Sequence, residues 1–404
     1  MGVNRIHVVV PTIHPSFILH RRLCRSVIPF RMTYGILAIT PQSIKREKKM
    51  DSKKHMKRCA VQISLLTIIV VSAFVSSAAA QTKSVADLAN YRGADREEML
   101  KGGARKEGKL VWYTTLTAHR DIANVFEAKY PGLKVETYRT GSTDLLRRIL
   151  TEAQSRRNLA DLVETTPPTL MVMRDSKLLM PYFSPYLSTY PADSKEEADR
   201  EKVFWTTDRE SMISLGYNKN MIRAAEVPKN FADLAKPENK DKVALSGDAT
   251  GVRMIGAMIL AKGEEYVKQL KALDIKVHMI SGGAIHELLA AGEMPMSLSI
   301  FRNHVLLGQS RGAPTEWVPL DLVPTNAGGV ALPAASNHPH AALLFADFLI
   351  SPEGQKIFEE KFRFATSTKN YGFKRWYPEK GLTLDRYEKA EERWQKLLRE
   401  ITRK

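Results

Sequence analysis

Two periods of hydrophobic and polar positions alternate along residues 105–365. Short apolar runs rich in β-branched and aromatic residues, at 109–113 and 134–138, predict strands because such side chains fit a pleated surface. Stretches at 143–154 and 340–349 carry apolar residues every third or fourth position and predict helices. Strands that alternate with helices are typical of βαβ units. The pattern therefore predicts an α/β fold with a largely parallel sheet, arranged as two lobes.

The same reasoning places further elements along the chain. It predicts strands at 161–164, 212–218, 243–246, 296–301 and 330–332. It predicts helices at 121–129, 231–234, 251–262, 285–291, 352–361 and 387–402, and one that opens at Pro167. The charged run at 193–200 is expected to be a helix surface or a loop.

The first 80 residues differ from the rest. A basic cluster at 53–58 precedes an apolar run at 60–75 and small residues at 76–80, which are the parts of a secretory signal. We expect a signal peptide at 56–80 that is cleaved after Ala80, so that the mature protein is periplasmic; an uncleaved anchor is the alternative. We expect translation to start at Met56 or Met50, so that residues 1–55, or 1–49 with the earlier start, are a mis-assigned extension.

Charge and cysteine content change the picture once this segment is set aside. Thirteen of the 61 Lys and Arg residues and two of the 44 acids lie in residues 1–80, which leaves a net charge of +6 instead of +17. This weakens any case for a nucleic-acid-binding protein. Cys24 and Cys59 both precede residue 80, and the chain has no nucleophile elbow, HExxH, Walker or dinucleotide motif. We therefore expect no catalytic residues, no cofactor and no metal site.

Several sequence segments resemble those of periplasmic solute-binding proteins of ABC importers, family 1, especially the iron(III) or small-anion branch. They lie, in order, at 106–117, 126–154, 160–166, 215–222, 290–300, 312–333 and 338–360. The resemblance implies a two-lobe type II binding-protein fold, with lobe 1 at 82–208 plus 326–365, lobe 2 at 216–318 and a helical tail at 366–404. It also implies a monomer whose interlobe cleft holds the ligand and whose partner is a membrane permease.

Helix N-termini suit an anion because their free N–H groups carry partial positive charge. Three such places combine small residues with hydroxyls, and ordinary helix capping is the alternative at each. They are Thr114-Thr115 after the first strand, Ser142-Thr143, and Thr250-Gly251.

Four further residues are expected at the cleft. Glu164 and Thr165 end a lobe 1 strand, Arg209 lies at a crossover between lobes, and Arg302 follows the strand at 296–301. A strand-end turn and an interlobe salt bridge are the alternatives for Glu164 and Arg209. In iron-binding members a tyrosine pair occurs near residue 302; here the sequence reads Phe301-Arg302, which disfavours bare ferric ion.

We therefore expect a small anionic solute: an organic acid, a phosphorylated compound or an anionic metal chelate. A ferric-binding protein and the ligand-binding subunit of a sensor system remain the alternatives.

Overall fold

A computed structural model describes residues 84–199 and 201–402. The predicted extension, the signal peptide and its cleavage site lie outside the described residues. Among the described helices, none is both long and apolar enough to cross a membrane.

The helices and strands are numbered in chain order. The helices are α1 (Val85–Ala89), α2 (Arg96–Glu107), α3 (His119–Lys129), α4 (Ser142–Gln154), α5 (Pro167–Asp175), α6 (Phe231–Leu234), α7 (Ala249–Lys262), α8 (Glu264–Gln269), α9 (Gly282–Ala291), α10 (Arg302–Gln309), α11 (Pro339–Ile350), α12 (Pro352–Phe362) and α13 (Leu384–Thr402). The strands are β1 (Lys109–Thr114), β2 (Lys134–Arg139), β3 (Leu162–Thr165), β4 (Leu179–Met180), β5 (Lys195–Asp199), β6 (Lys202–Asn218), β7 (Val243–Ser246), β8 (Lys276–His278), β9 (Met296–Phe301), β10 (Thr315–Val318), β11 (Val323–Pro333) and β12 (Arg375–Trp376).

The sheet has two parallel ends joined by antiparallel strands. Its order is β2-β1-β3-β11-β6-β9-β7-β8. β1 runs parallel to β2 and β3 at one end, and β7 runs parallel to β8 and β9 at the other. In the middle, β6 pairs antiparallel with both β11 and β9. The predicted parallel character therefore holds at the two ends of the sheet.

The long strand β6 connects the two ends of the sheet without an intervening loop. Its first part pairs with β11 and its second part pairs with β9. The register shifts between Gly328 and Gly329, which face Arg209 and Thr207, so Asp208 is the extra residue of a β-bulge. A bulge at this point re-aims side chains toward the space between the two ends.

The core at the β1 end of the sheet is built around α11, whose sequence from Ala341 to Ile350 is buried. Trp112 of β1 packs edge-on against Phe345, with ring centroids 4.9 Å apart. Buried Asp161 accepts hydrogen bonds from the N–H groups of Asn337 and His338 at 2.8 Å each, at the start of this helix. Because α11 is apolar nearly all round, it is held as a central helix and not as a surface one.

The C-terminal segment after α12 contacts both the central strand β6 and the helix α7. Arg375 donates to Glu210 of β6 at 2.9 Å, and Tyr377 also donates to that carboxylate. Arg253 of α7 and Glu379 form a buried ion pair at 3.2 Å. Trp376 packs against Trp394 of α13 with ring centroids 5.5 Å apart.

Two sequence expectations about local structure are wrong. The charged run at 193–200 contains β5, an edge strand that pairs with β6, because its alternating side chains leave one face half-buried. Ser142 and Thr143 do not cap α4; Gly141 takes the N-cap position without a side-chain hydrogen bond. The lobe and tail boundaries given above stay predictions.

Candidate functional site

A cavity of about 240 Å³ lies where β1, β6, β11, α10 and the end of α12 meet. Elements of both ends of the sheet contribute to its wall. The lining residues are Thr115, Leu116, Thr117, Ala118, Arg209, Ser211, Phe301, Asn303, His304, Leu307, Asn326, Phe362 and Phe364. We refer to this space as the cleft cavity.

Two helices begin at the cleft cavity. Residues 115–118 connect β1 to α3, and Phe301 is the N-cap residue of α10. Neither helix has a side-chain hydrogen bond at its N-cap; α3 has Asp121 in its first turn, whereas α10 has no acidic residue there. Because the first N–H groups of a helix lack intrahelical partners, both helix starts leave donors and partial positive charge at the cavity.

A buried ion pair includes the lining residue Arg209. Arg209 donates from Nη2 to Oε1 of Glu164 at 2.8 Å, and both side chains are almost completely buried. The other oxygen of Glu164 accepts from the Thr114 hydroxyl at 2.5 Å and from the N–H groups of Thr115 and Leu116 at 3.1 and 3.2 Å. The hydrogen bonds of Glu164 are thus satisfied by neighbouring residues, and its charge partly compensates that of Arg209.

Asp208 lies beside this pair, in the bulge of β6. A side-chain carbon on Gly328 would come within 2.3 Å of Glu164 Oε1 and 2.7 Å of Asp208 Oδ1, so only glycine fits between the two carboxyl groups. Burial raises the pKa of Asp208 well above its ordinary value, and the charge of Glu164 raises it further. We infer that Asp208 is neutral when Glu164 is charged.

Several polar atoms of the cleft cavity are buried and have no hydrogen-bond partner in the described structure. They are Arg209 Nε, Asn303 Oδ1, His304 Nδ1 and Asn326 Oδ1. Burial lowers the pKa of His304, and the neighbouring His286 lowers it further, so the imidazole is neutral at pH 7. Buried polar groups are nearly always hydrogen-bonded in folded proteins, so several unpartnered side chains among the residues that line one cavity support a ligand site there.

The structure brings together four of the residues expected at the site. Thr114, Thr115, Glu164 and Arg209 form one hydrogen-bonded group, in which Thr115 and Arg209 line the cavity. Arg209 therefore forms a salt bridge, with Glu164 at the β1 end of the sheet, and this pairing coexists with a position in the cavity wall.

The other expected residues are not among those that line the cavity. Ser142 accepts a hydrogen bond from Thr166, Thr143 is exposed, and Thr165 is buried in β3. At the start of α7, Asp248 caps the N–H of Thr250 at 2.8 Å. A side-chain carbon on Gly251 would lie 1.9 Å from the Ser246 carbonyl oxygen, so this glycine is required for packing.

Arg302 is also placed elsewhere. Its guanidinium lies over the ring of Tyr371 in the C-terminal tail, 5.1 Å from the centroid. Because successive side chains on a helix point about 100° apart, the cavity receives its neighbours Asn303 and His304 instead.

Sequence reasoning missed most of the polar lining. Asn303, Asn326 and Ser211 carry no motif, and α10 was not predicted because its apolar residues Val305, Leu306 and Leu307 are consecutive. One signal was available. Polar residues that closely follow a buried strand lie near the end of that strand, where type II clefts hold their ligands, and Asn303 stands two residues after β9.

The described residues contain no group of three or more His, Cys, Asp and Glu side chains arranged to hold a metal ion. Within the described lining of the cavity, His304 is the one side chain of a common metal-ligand type. A bare ferric ion prefers several hard anionic oxygens, and this donor set does not offer them.

The model of the bacterial extracellular solute-binding protein family matches residues 121–380. A curated relative from Serratia marcescens, described as an Fe(3+)-binding periplasmic protein, is 23% identical over 241 residues, which cover 57% of this chain and 69% of that protein.

Two solved structures share the fold. Iron-bound HitA from Pseudomonas aeruginosa is 22% identical with a TM-score of 0.56, and the match covers 72% of this chain and 99% of HitA. AfuA from Actinobacillus pleuropneumoniae, with fructose-6-phosphate bound, is 23% identical with a TM-score of 0.56 and covers 73% of this chain and 99% of AfuA. These matches confirm the predicted type II periplasmic binding-protein fold.

Proposed function

The chain belongs to the family of bacterial extracellular solute-binding proteins, and we propose that it captures a small anionic solute in the cleft cavity. In this proposal the protein is exported to the periplasm and delivers the solute to the membrane subunits of an ABC importer. The observation that carries the proposal is the group of unpartnered buried polar atoms around Arg209.

The charge and helix geometry of the cavity favour an anion. Arg209 is the lining residue with a formal positive charge, and its Nε is unpartnered. The starts of α3 and α10 add N–H donors and partial positive charge. Because no Asp or Glu is among the described lining residues, a bound anion meets no carboxylate directly.

Bare ferric ion is the competing cargo, since two similar proteins are described as iron-binding. The described lining holds no Tyr, Asp or Glu, and its neutral amides and imidazole would not replace the lost hydration of a trivalent cation. Arg209 would also repel it. These features support an organic anion over free iron.

Native mass spectrometry of the predicted mature chain, residues 81–404, recovered from the periplasm without refolding, tests the cargo. We expect a bound mass that matches an organic anion and that is released on mild unfolding. A bound mass that contains iron without an organic component would contradict the proposal.

Two variants test the role of Arg209 and separate an effect on ligand binding from an effect on folding. Arg209→Gln should lower the free energy of unfolding by about 3 kcal/mol, because it leaves Glu164 buried and unpaired. The double variant Glu164→Gln/Arg209→Gln should regain most of that stability. Both should retain less of the periplasmic ligand by native mass spectrometry, whereas Lys389→Gln, an exposed change on α13, should retain all of it. Full ligand retention by the double variant would exclude Arg209 from the site.

A further inference from the structure

The two asparagines of the cleft cavity leave the donating ends of their amides open. Asn303 and Asn326 line the cavity, and the side-chain oxygen of each is enclosed by protein. Neither amide nitrogen is among the enclosed atoms, and neither donates a hydrogen bond to another described residue. An amide nitrogen carries two N–H donors. A ligand in the cavity therefore meets N–H groups, and not carbonyl oxygens, from these two side chains.

Donors also come from two other parts of the wall. The N–H groups of Thr117 and Ala118, between β1 and α3, have no backbone acceptor within the described part of the chain. Arg209 donates from Nη2 to Glu164, whereas its other terminal nitrogen, Nη1, is neither enclosed nor bonded to a described residue. Open donors thus lie on three separate segments of the wall: the connection after β1, the central strands β6 and β11, and the start of α10.

This distribution of donors fits a tetrahedral oxyanion better than a planar one. The two oxygens of a carboxylate accept hydrogen bonds close to a single plane. A group with three oxygens around one bond to carbon, such as a sulfonate or a phosphonate, accepts from three sides at once. Because the donors belong to three segments that surround the cavity, three oxygens can be satisfied where a carboxylate would leave one side unpaired.

The charge of the cavity limits the charge of the ligand. Arg209 is the one formally charged residue among the described lining, and it is already paired with Glu164 at 2.8 Å. His304 adds no charge, since burial lowers its pKa. A phosphate ester carries about 1.5 to 2 negative charges at pH 7, and its surplus charge would be desolvated without a partner. A sulfonate keeps a single negative charge because sulfonic acids are strong acids.

The apolar part of the wall fits a carbon substituent on this anion. Phe301, Phe362 and Phe364 line the cavity together with Leu116 and Leu307. The volume of about 240 Å³ is below the range of drug-sized pockets, so the substituent is a short chain or a single ring. Burial of its C–H groups against these side chains adds affinity without a further charge.

We propose that the preferred solute is a small organosulfonate, with its three oxygens accepting from Arg209, Asn303 and Asn326 and its carbon substituent against the phenylalanines. This inference rests on the proposed function and narrows it. It places carboxylates, which have two oxygens, and phosphate esters and phosphonates, which carry more charge, below sulfonates in affinity.

The first test is a ligand series on the unchanged mature protein, freed of bound solute by dialysis, in isothermal titration calorimetry at pH 8.5. For each of three substituents, methyl, ethyl and phenyl, the sulfonate is compared with the carboxylate and with the phosphonate. The carboxylate tests the number of oxygens, and the phosphonate, mainly a dianion at this pH, tests the charge.

We expect at least one sulfonate to bind about tenfold more tightly than both partners with the same substituent, the effect of about one net hydrogen bond. Because this series needs no variant, it does not depend on how a substitution folds.

The second test removes single donors. Asn303→Leu and Asn326→Leu should each weaken the best-bound sulfonate about tenfold, because an amide donor to an anionic oxygen is lost. The matched control is Asn220→Leu, an exposed amide outside the cavity, which should leave the affinity unchanged. Unchanged affinity in both cavity variants would contradict the proposed placement of the sulfonate.

The contrary outcomes of the ligand series are distinct. If no sulfonate binds more tightly than both of its partners, or if no sulfonate binds at all, this inference is wrong, and anion capture stands wherever a carboxylate or a phosphonate binds instead. If no anion of the series binds and ferric ion alone does, the proposed function itself is wrong.

Discussion

Two completely buried aspartates of this protein differ in how many hydrogen bonds their carboxyl groups accept. Asp161, at the start of α11, accepts five hydrogen bonds: from Val111, Ser336 and Asn337, and twice from His338. Asp208, in the bulge of β6, has no partner in normal geometry for either carboxylate oxygen. Its nearest donors, the backbone N–H groups of Asp208 and Arg209, lower its pKa only in part.

This difference distinguishes the start of α11, which stabilises the fold, from the cleft cavity, which is the candidate ligand site. At the start of α11 the protein supplies its own anions, since Glu107 accepts from the N–H groups of His340 and Ala341 as well. At the cleft cavity the helix starts are uncapped and buried polar atoms are unpartnered. Helix N-termini filled by carboxylates stabilise the fold, whereas open ones beside a cavity are available to an external ligand.

Asp161→Ala tests the stabilising role of the carboxylate at the start of α11. It has the largest expected effect on the free energy of unfolding. It leaves several buried N–H groups without an acceptor, so the free energy of unfolding should fall by about 4 kcal/mol in urea titrations. Asp144→Ala, an exposed first-turn acid of α4, is the control and should change it by less than about 0.5 kcal/mol. Equal effects of the two changes would contradict the comparison.

Asp208→Asn tests whether the carboxyl group of Asp208, beside the cleft cavity, is protonated in the folded protein. Because burial raises the pKa of Asp208, the folded chain holds a proton that the unfolded chain has released, and stability falls as the pH rises through that window. The variant should therefore be more stable than the unchanged protein at pH 8, by about 1 kcal/mol, and this gain should shrink as the pH falls toward 4.

Urea unfolding at several pH values measures this difference. The exposed Asp193→Asn is the matched control and should follow the unchanged protein at each pH. A constant or absent difference for Asp208→Asn would mean that Asp208 is charged in the folded protein.

Arg302→Ala has the smallest expected effect. Loss of the contact with Tyr371 should cost about 0.5–1 kcal/mol of unfolding free energy. The affinity for the bound anion, measured by calorimetry, should change less than about twofold, because the side chain lies outside the cavity wall. A tenfold loss of affinity would return Arg302 to the site, as its place in the sequence suggested.

The fold was predictable where a local pattern alone decides the element. β9 matches its predicted bounds, and β1, β2, α7 and α12 differ by two residues or fewer at each end, because apolar spacing and flanking Gly or Pro act over short distances. β5 and α10 were missed. A charged edge strand and a helix with consecutive apolar residues depend on what packs against them, and that is set by distant parts of the chain.

The candidate site was predictable to the level of segments. Thr115 and Arg209 come from the predicted strand end and crossover, and both reach the cavity. Asn303 replaces Arg302 because the start of α10 rotates each successive side chain, and Thr250 is capped because Asp248 precedes it closely enough to bond its N–H. Such one-residue differences need the helix start, which spacing along the sequence does not define.

Because β6 is continuous, amide hydrogen exchange would not reveal the boundary between the two ends of the sheet as a flexible linker. The chain crosses from one end to the other inside a strand that is hydrogen-bonded to β11 and then to β9. Amide protons of such a strand exchange with solvent slowly, since opening them requires breaking both ladders. A hydrogen-exchange map would therefore show the crossing point as one of the most protected stretches, and a search for fast-exchanging linkers would pass over it.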